Sequence, residues 1–312
     1  MWEGVGLASD RRVIELPFDK VQAATLSDDI MWVLADGQLA VADLTSGTVK
    51  VVAEIETSDW GSHLLAPQGQ QNVFYAVGVD DSSTLLGHAT HIGWYDRQAK
   101  QARLLTTLVG GVKLSGTAAS GDILYAVRFG GDGGFGTILP ISLENGTIVA
   151  EIELERTGLG ASMSPDGQWL SIIDGEWGDT PWQGYITIYN LTEPDTLPTT
   201  IELPRQPSHA RALMWTPDSQ YLYFVLCPGS WASEARQPCS LWRLAAFHDS
   251  DIEEIVSSIQ PDCIPVAMSP DSRAVLIGDI SFTLIDVQTK AQCSLDLPPE
   301  ARILAWHKSR AQ

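Results

Sequence analysis

Three segments of the chain run through nearly the same turn into the same kind of strand. They read Met163-Ser-Pro-Asp-Gly-Gln-Trp-Leu-Ser-Ile-Ile, Trp215-Thr-Pro-Asp-Ser-Gln-Tyr-Leu-Tyr-Phe-Val and Met268-Ser-Pro-Asp-Ser-Arg-Ala-Val-Leu-Ile. The prolines Pro165, Pro217 and Pro270 stand 52 and 53 residues apart. A fixed period of that length marks one supersecondary unit repeated along the chain. Ser/Thr-Pro-Asp-Gly/Ser suits a type I turn: the hydroxyl bonds back into the turn, proline presets φ, and a small residue closes it. Runs rich in β-branched and aromatic residues flank each copy, which predicts strand, tight turn, strand.

Weaker copies appear when the strand after the turn is used as the ruler. Val73-Phe-Tyr-Ala-Val and Ile123-Leu-Tyr-Ala-Val stand 50 residues apart, and Ile30-Met-Trp-Val-Leu precedes them. A third strand follows each, often ending on Asp or Asn, as at Asp43, Asp96, Asn190 and Asp286; a turn such as Glu144-Asn-Gly146 then leads to a fourth. Asn-Gly is a strong hairpin signal. The unit is thus a four-stranded antiparallel meander the size of a propeller blade. Six full units start near residues 21, 62, 112, 159, 209 and 263. Ile303 to His307 at one end, with Val5 to Asp10 and Val13 to Leu16 at the other, supply strands for a seventh blade shared by both termini, which would remove two exposed sheet edges. The expectation is an all-β, single-domain β-propeller of seven blades, with six and loose tails as the alternative.

Composition narrows the partners. With 39 acidic and 19 basic residues the net charge is −20, a surface that repels phosphate backbones and anionic lipid, so neither nucleic acid nor membrane is expected as a partner. No window holds the roughly 18 apolar residues a membrane helix needs. Trp2-Glu3-Gly4 lacks the basic and apolar regions of a signal peptide. That leaves a cytosolic protein or a natural chain that starts further upstream, and the incomplete last repeat favours the second.

Cys227 closes a second strand and Cys239 opens the third strand of the same unit. Neighbouring antiparallel strands place such positions opposite one another, close enough for a disulfide. A Cys227–Cys239 bridge is expected, and it points to an oxidising compartment, extracellular or periplasmic. Cys263 and Cys293 fall on strands that are not neighbours and read as small buried hydrophobes. No cysteine pair has zinc-ligand spacing.

Repeated Ser-Pro-Asp-Gly turns followed by an aliphatic strand resemble those of TolB-like and WD-repeat-like β-propellers, and of the propellers of prolyl-oligopeptidase-type enzymes. The resemblance covers most of the chain and is strongest around Pro165, Pro217 and Pro270. It implies a protein- or ligand-binding platform, usually exported in bacteria. The motif is a turn signature without catalytic residues, and the chain has no hydrolase domain.

Chemistry-bearing motifs are sparse. There is no Gly-x-Ser-x-Gly elbow, P-loop or His-Glu-x-x-His. Gly130 to Gly136 is glycine-rich but lies between strands, whereas a phosphate cradle needs a helix after it. His88-x-x-His91 has helical metal-pair spacing but reads as a Gly/Ser/Thr-rich loop. Asp80-Asp81, or Asp174 and Glu176 with Asp179, offer oxygens for calcium and otherwise read as solvated loop charges. No other cofactor is expected.

The geometry of a blade says more. Loops between the second and third strands, and loops between blades, emerge on one face. The longest insertions, Val79 to Thr90, Gly130 to Gly136, Gly175 to Gly184 and Pro228 to Pro238, are all of the first kind. They carry Trp177, Trp182 and Trp231; the inter-blade loops add Asp59, Trp60, His63, Arg156, Arg205 and His209. Folding does not need large aromatics at loop tips, so the cluster predicts non-catalytic binding, first of a protein partner. An exported saccharide- or peptide-binding role is the second reading, because Trp beside acids suits sugar stacking and hydrogen bonding. A funnel enzyme, hydrolase or lyase, is the third, and it would need His63, His209 and Asp59 together.

Overall fold

Six four-stranded antiparallel sheets follow one another in a computed structural model. It describes residues 16–27, 30–58, 61–67, 71–84, 87–129, 136–176, 183–193, 196–229, 237–245, 251–260, 264–278 and 282–295. Blade 1 is β1 (Val21–Ser27), β2 (Ile30–Ala35), β3 (Gln38–Asp43) and β4 (Val49–Glu54). Blade 2 is β5 (Ser62–Leu65), β6 (Asn72–Asp80), β7 (His88–Asp96) and β8 (Gln101–Val109). Blade 3 is β9 (Val112–Thr117), β10 (Ile123–Arg128), β11 (Thr137–Ser142) and β12 (Ile152–Glu153). Blade 4 is β13 (Thr157–Met163), β14 (Trp169–Glu176), β15 (Gln183–Asn190) and β16 (Thr199–Glu202). Blade 5 is β17 (Ser208–Trp215), β18 (Tyr221–Pro228), β19 (Cys239–Ala245) and β20 (Ile252–Ile259). Blade 6 is β21 (Ile264–Met268), β22 (Ala274–Gly278), β23 (Phe282–Asp286) and β24 (Gln292–Leu295).

Within each sheet the strands pair in chain order, and the first strands pack one on the next from β1 through β5, β9, β13 and β17 to β21. The architecture is a β-propeller, and its six blades are the six repeats read from the sequence. Six blades among the described residues match the count of the alternative reading. Apart from Leu16, the strands assigned to a seventh blade lie outside the described residues.

The Pro-Asp turns form as their residues dictate. The N–H of Gly167, Ser219 and Ser272 donates to the carbonyl of Ser164, Thr216 and Ser269, each at 2.9 Å. In each copy the Ser or Thr hydroxyl donates to the turn Asp and accepts the N–H that opens the next strand, that of Trp169, Tyr221 or Ala274. The closing residue is left-handed in all three, with φ +70° at Gly167 and +59° at Ser219 and Ser272. The turns also touch across blades. Asp166 N–H donates to Ser219 Oγ (3.1 Å), and Trp215 Nε1–H to the carbonyl of Ser162 (3.1 Å). A Cβ on Gly167 would stand 2.5 Å from the Thr117 carbonyl oxygen at the end of β9 in blade 3. The turns after the third strands are Asx-capped: the Oδ1 of Asp43, Asp96 and Asp286 each accepts two backbone N–H bonds.

Second strands are buried on both sides, so successive residues serve different seams. Phe74 and Ala76 pack toward blade 3, while Val73, Tyr75 and Val77 pack toward blade 1. Ile172 and Ile173 divide likewise between blades 3 and 5. Five hydrophobic clusters fill the five seams from blade 1 to blade 6. Each large side chain fully buried there contributes about 1.5–3 kcal/mol. Five of the six first strands carry a bulge, at Gln22, Ser115, Leu159, Ala212 and Val266.

Candidate functional site

The connections after β2-type strands and between blades share one face. On it, the neck of the β18–β19 connection is closed by the expected disulfide: Cys227 and Cys239 are bridged, with Cα atoms 4.3 Å apart. His209, opposite Cys227 in the ladder, is 3% exposed. Arg211 Nε–H donates to its Nε2 (3.2 Å), so Nδ1 carries the ring proton and donates to the Gly229 carbonyl (2.9 Å). Burial holds this imidazole below its usual pKa, the Gly229 bond opposes that, and Arg211 adds to it. His209 therefore braces the loop neck. Arg205 lies over the Trp242 ring (5.3 Å) and pairs with Glu254 (2.5 Å).

His63 is depressed to about pKa 4, first by burial and then by Lys113. It stands on β5, which packs between β1 and β9, whereas His209 stands on β17, between β13 and β21. The two histidines occupy non-neighbouring blades. Asp59, Trp60, Trp177, Trp182 and Trp231 lie outside the described residues.

The histidine pair at 88 and 91 is not in a loop, as expected, but on β7, paired with Asp80 and Val77 of β6. On a strand, residues three apart point to opposite faces, which separates their rings. The loop is shorter than its composition suggests because the β6–β7 ladder runs to the Asp80–His88 pair and buried Thr90 donates its hydroxyl to the Gly110 carbonyl (2.6 Å). Asp81 accepts the Ser83 hydroxyl (2.6 Å) and N–H (2.9 Å), forming a local turn; these bonds lower its pKa. Among the described residues no group of three or more His, Cys, Asp or Glu gathers as metal ligands.

Asp174 departs furthest from its expected place. It is a 3%-exposed residue on β14, not a solvated loop acid. Thr187 donates its hydroxyl to Asp174 Oδ2, while Oδ1 is buried without a hydrogen-bond partner. Burial raises its pKa to about 6; Thr187 and Arg156 oppose the shift and Glu155 adds to it. Arg156 lies over the Tyr185 ring at 4.4 Å.

A polar cavity of about 440 Å³ opens on the same face between blades 1 and 2, lined by Lys20, Gln22, Asp36, Gly37, Thr57, Ser58 and Asp80. Asp36-Gly37, with φ +50° and +73°, makes the two-residue β2–β3 turn. The Asp36 carboxylate accepts the backbone N–H of Asp19 (2.9 Å) and Lys20 (3.2 Å). Gln22 Nε2 donates to Thr57 Oγ1 and to the Ser58 carbonyl, both at 3.3 Å. Ile55 N–H bonds the Gly37 carbonyl and Ser58 N–H the Gly78 carbonyl, each at 2.8 Å. Sequence reasoning missed this site: four ordinary polar segments from two blades build it, and no local motif announces it.

No family model matches the chain, and no curated protein matches it. Solved structures do. A hydrazine synthase chain from Kuenenia stuttgartiensis aligns with TM-score 0.62 and 16% identity, over 90% of this chain and 80% of that one. Oligogalacturonate lyase from Vibrio parahaemolyticus aligns at 0.58 and 11%, over 85% and 73%. TolB from Acinetobacter baumannii aligns at 0.50 and 14%, over 82% and 58%. The likeness is one of fold. These neighbours, a synthase and a lyase beside TolB, show how widely the propeller frame is used. Among the described residues no helix is long and apolar enough to cross a membrane.

Proposed function

We propose that the chain is a single-domain, non-catalytic binding propeller that engages a protein partner through its long-connection face. The observation that carries this reading is the asymmetry of the two faces. One carries the Pro-Asp turns, hydrogen-bonded within and between blades at Ser164–Trp169, Thr216–Tyr221 and Asp166–Ser219, although its β11–β12 and β15–β16 connections are as long as those opposite. The other carries the long connections, a disulfide-closed loop neck braced by His209, and the polar cavity. Loops on a rigid scaffold are where binding surfaces are usually built. His63 and His209 stand on first strands of blades 2 and 5, and Asp59, which the funnel-enzyme reading also needs, lies outside the described residues. The disulfide favours an oxidising compartment, and a structural neighbour is named as a periplasmic gluconolactonase.

The test is Trp177→Ala, Trp182→Ala and Trp231→Ala, singly and combined, with Lys100→Gln on the opposite face as control. A partner captured from the extracytoplasmic fraction and titrated calorimetrically should lose tenfold or more in affinity with the combined variant and nothing with the control. Unchanged affinity in the combined variant refutes the assignment of the face.

A further inference from the structure

We infer that Asn145 and Asn190 are acceptor sites for N-linked glycans. The inference goes beyond the reading of the binding face and rests on the oxidising, extracytoplasmic compartment that the Cys227–Cys239 bridge favours. The chain has three asparagines, Asn72, Asn145 and Asn190, and two of them open an Asn-x-Thr sequon: Asn145-Gly-Thr147 and Asn190-Leu-Thr192.

Both sequons fold alike. Asn145 Oδ1 accepts the N–H of Thr147 (3.0 Å) and its hydroxyl (2.7 Å). Asn190 Oδ1 accepts the same two groups of Thr192, at 3.0 and 2.7 Å. The side-chain oxygen alone holds each turn. Neither Nδ2 makes a hydrogen bond among the described residues. A carboxylate holds the same turn equally well: Asp81 accepts the N–H (2.9 Å) and hydroxyl (2.6 Å) of Ser83. The turn does not require an amide, so what asparagine adds at 145 and 190 is the nitrogen. A glycan there replaces one idle N–H and breaks no bond of the fold. Asn145, Thr147 and Thr192 are exposed and Asn190 is half-buried.

The positions suit a bulky, solubilising group. Asn145 lies in the β11–β12 connection, and Asn190 ends β15 and leads into the β15–β16 connection. Both connections emerge at the end of the blade that carries the Pro-Asp turns, so glycans there leave the connections between second and third strands uncovered. The same two connections hold the most exposed large hydrophobics among the described residues, Leu197 (91%) and Val149 (61%), where a hydrated group offsets apolar surface. The donor is an oligosaccharide joined through C1 to a lipid diphosphate. Asn Nδ2 forms the bond to C1, the C1–O bond breaks, the lipid diphosphate leaves with the electron pair, and one amide proton passes to a base of the transferase.

The test is intact-mass spectrometry of the full chain, both secreted from a eukaryotic host and isolated from its own cells. Each sample should carry two glycans, and peptide N-glycosidase should remove both and leave aspartate at 145 and 190. Asn145→Asp and Asn190→Asp keep the turn and should each lose one glycan with circular dichroism unchanged. Thr147→Ala and Thr192→Ala should lose the same ones, and Asn72→Asp should lose none. An unmodified mass from the secretory host, or glycans that persist when Asn145→Asp and Asn190→Asp are combined, overturns the inference. Glycans from the host on a chain that is unmodified in its own cells overturn the compartment on which the inference rests.

Discussion

Replacing Asp174 by Asn should stabilise the protein at neutral pH and do so less and less as the solution is acidified. An unfolded aspartate titrates near 3.9. In the folded chain burial raises Asp174 to about 6. Between those values the folded state keeps a proton that the unfolded state has lost, so stability falls as pH rises through the window. Two pK units correspond to about 3 kcal/mol, fully present above roughly pH 7 and absent below about pH 4. Asn keeps the shape and can still accept the Thr187 hydroxyl, but its amide leaves a buried polar group short of a partner, at about 1 kcal/mol or more. The expected net gain is therefore about 1–2 kcal/mol at pH 7.5, turning neutral or unfavourable at pH 4.5. The pH dependence of the difference is the sharper quantity, because the orphan cost cancels from it. Urea unfolding of both proteins from pH 4.5 to 8, with the disulfide intact, measures it. If variant and wild type keep parallel stability curves across that range, Asp174 titrates normally and the account of its burial is wrong.

Other perturbations have defined outcomes. His63, held near pKa 4 by burial and Lys113, stays neutral while the unfolded ring takes a proton below about 6.5; stability is lost as pH falls through that window, and His63→Gln should remove about 2–3 kcal/mol of the loss in the same titrations. Gly167→Ala combines a left-handed φ with a Cβ 2.5 Å from the Thr117 carbonyl oxygen and should cost about 3 kcal/mol or more in urea unfolding, whereas Ser272→Gly relaxes the same left-handed position and should cost little or gain about 0.5 kcal/mol. Cys227 and Cys239 are 12 residues apart, so Cys227→Ser with Cys239→Ser should cost about 3 kcal/mol. Unreduced, denatured wild type should show two titratable thiols; four would mean that the bridge does not form.

The frame was legible because its signals are local. Pro165, Pro217 and Pro270 announce their turns, Asp43, Asp96 and Asp286 announce their Asx caps, and alternate apolar residues announce the strands. The Cys227–Cys239 pair was legible because adjacent strands leave little choice of partner. What escaped depends on neighbours distant in sequence. The Gly/Ser/Thr-rich stretch ending at Thr90 looks like a loop until β6 is placed beside it. Asp174 looks like a solvated acid until blades 3 and 4 close around it. The polar cavity draws Lys20 and Asp80 together across 60 residues, through segments that a periodicity reading treats as connectors. The bulges in the first strands leave no trace in composition, since Gln22, Ser115 and Ala212 share no chemistry.

The bonds from Asp166 to Ser219 and from Ser162 to Trp215 each span 53 residues, close to one repeat. A duplicated blade thus inherits half of two latches and needs its neighbour to carry the other half, so a single repeat moved elsewhere arrives with unmatched donors or acceptors. The same latches lie at the end of the blade remote from the connections between second and third strands. Residues can therefore be inserted into or deleted from those connections without altering the separation the latches must bridge. Divergence can act on one face while the other keeps blades 4 and 5 in register.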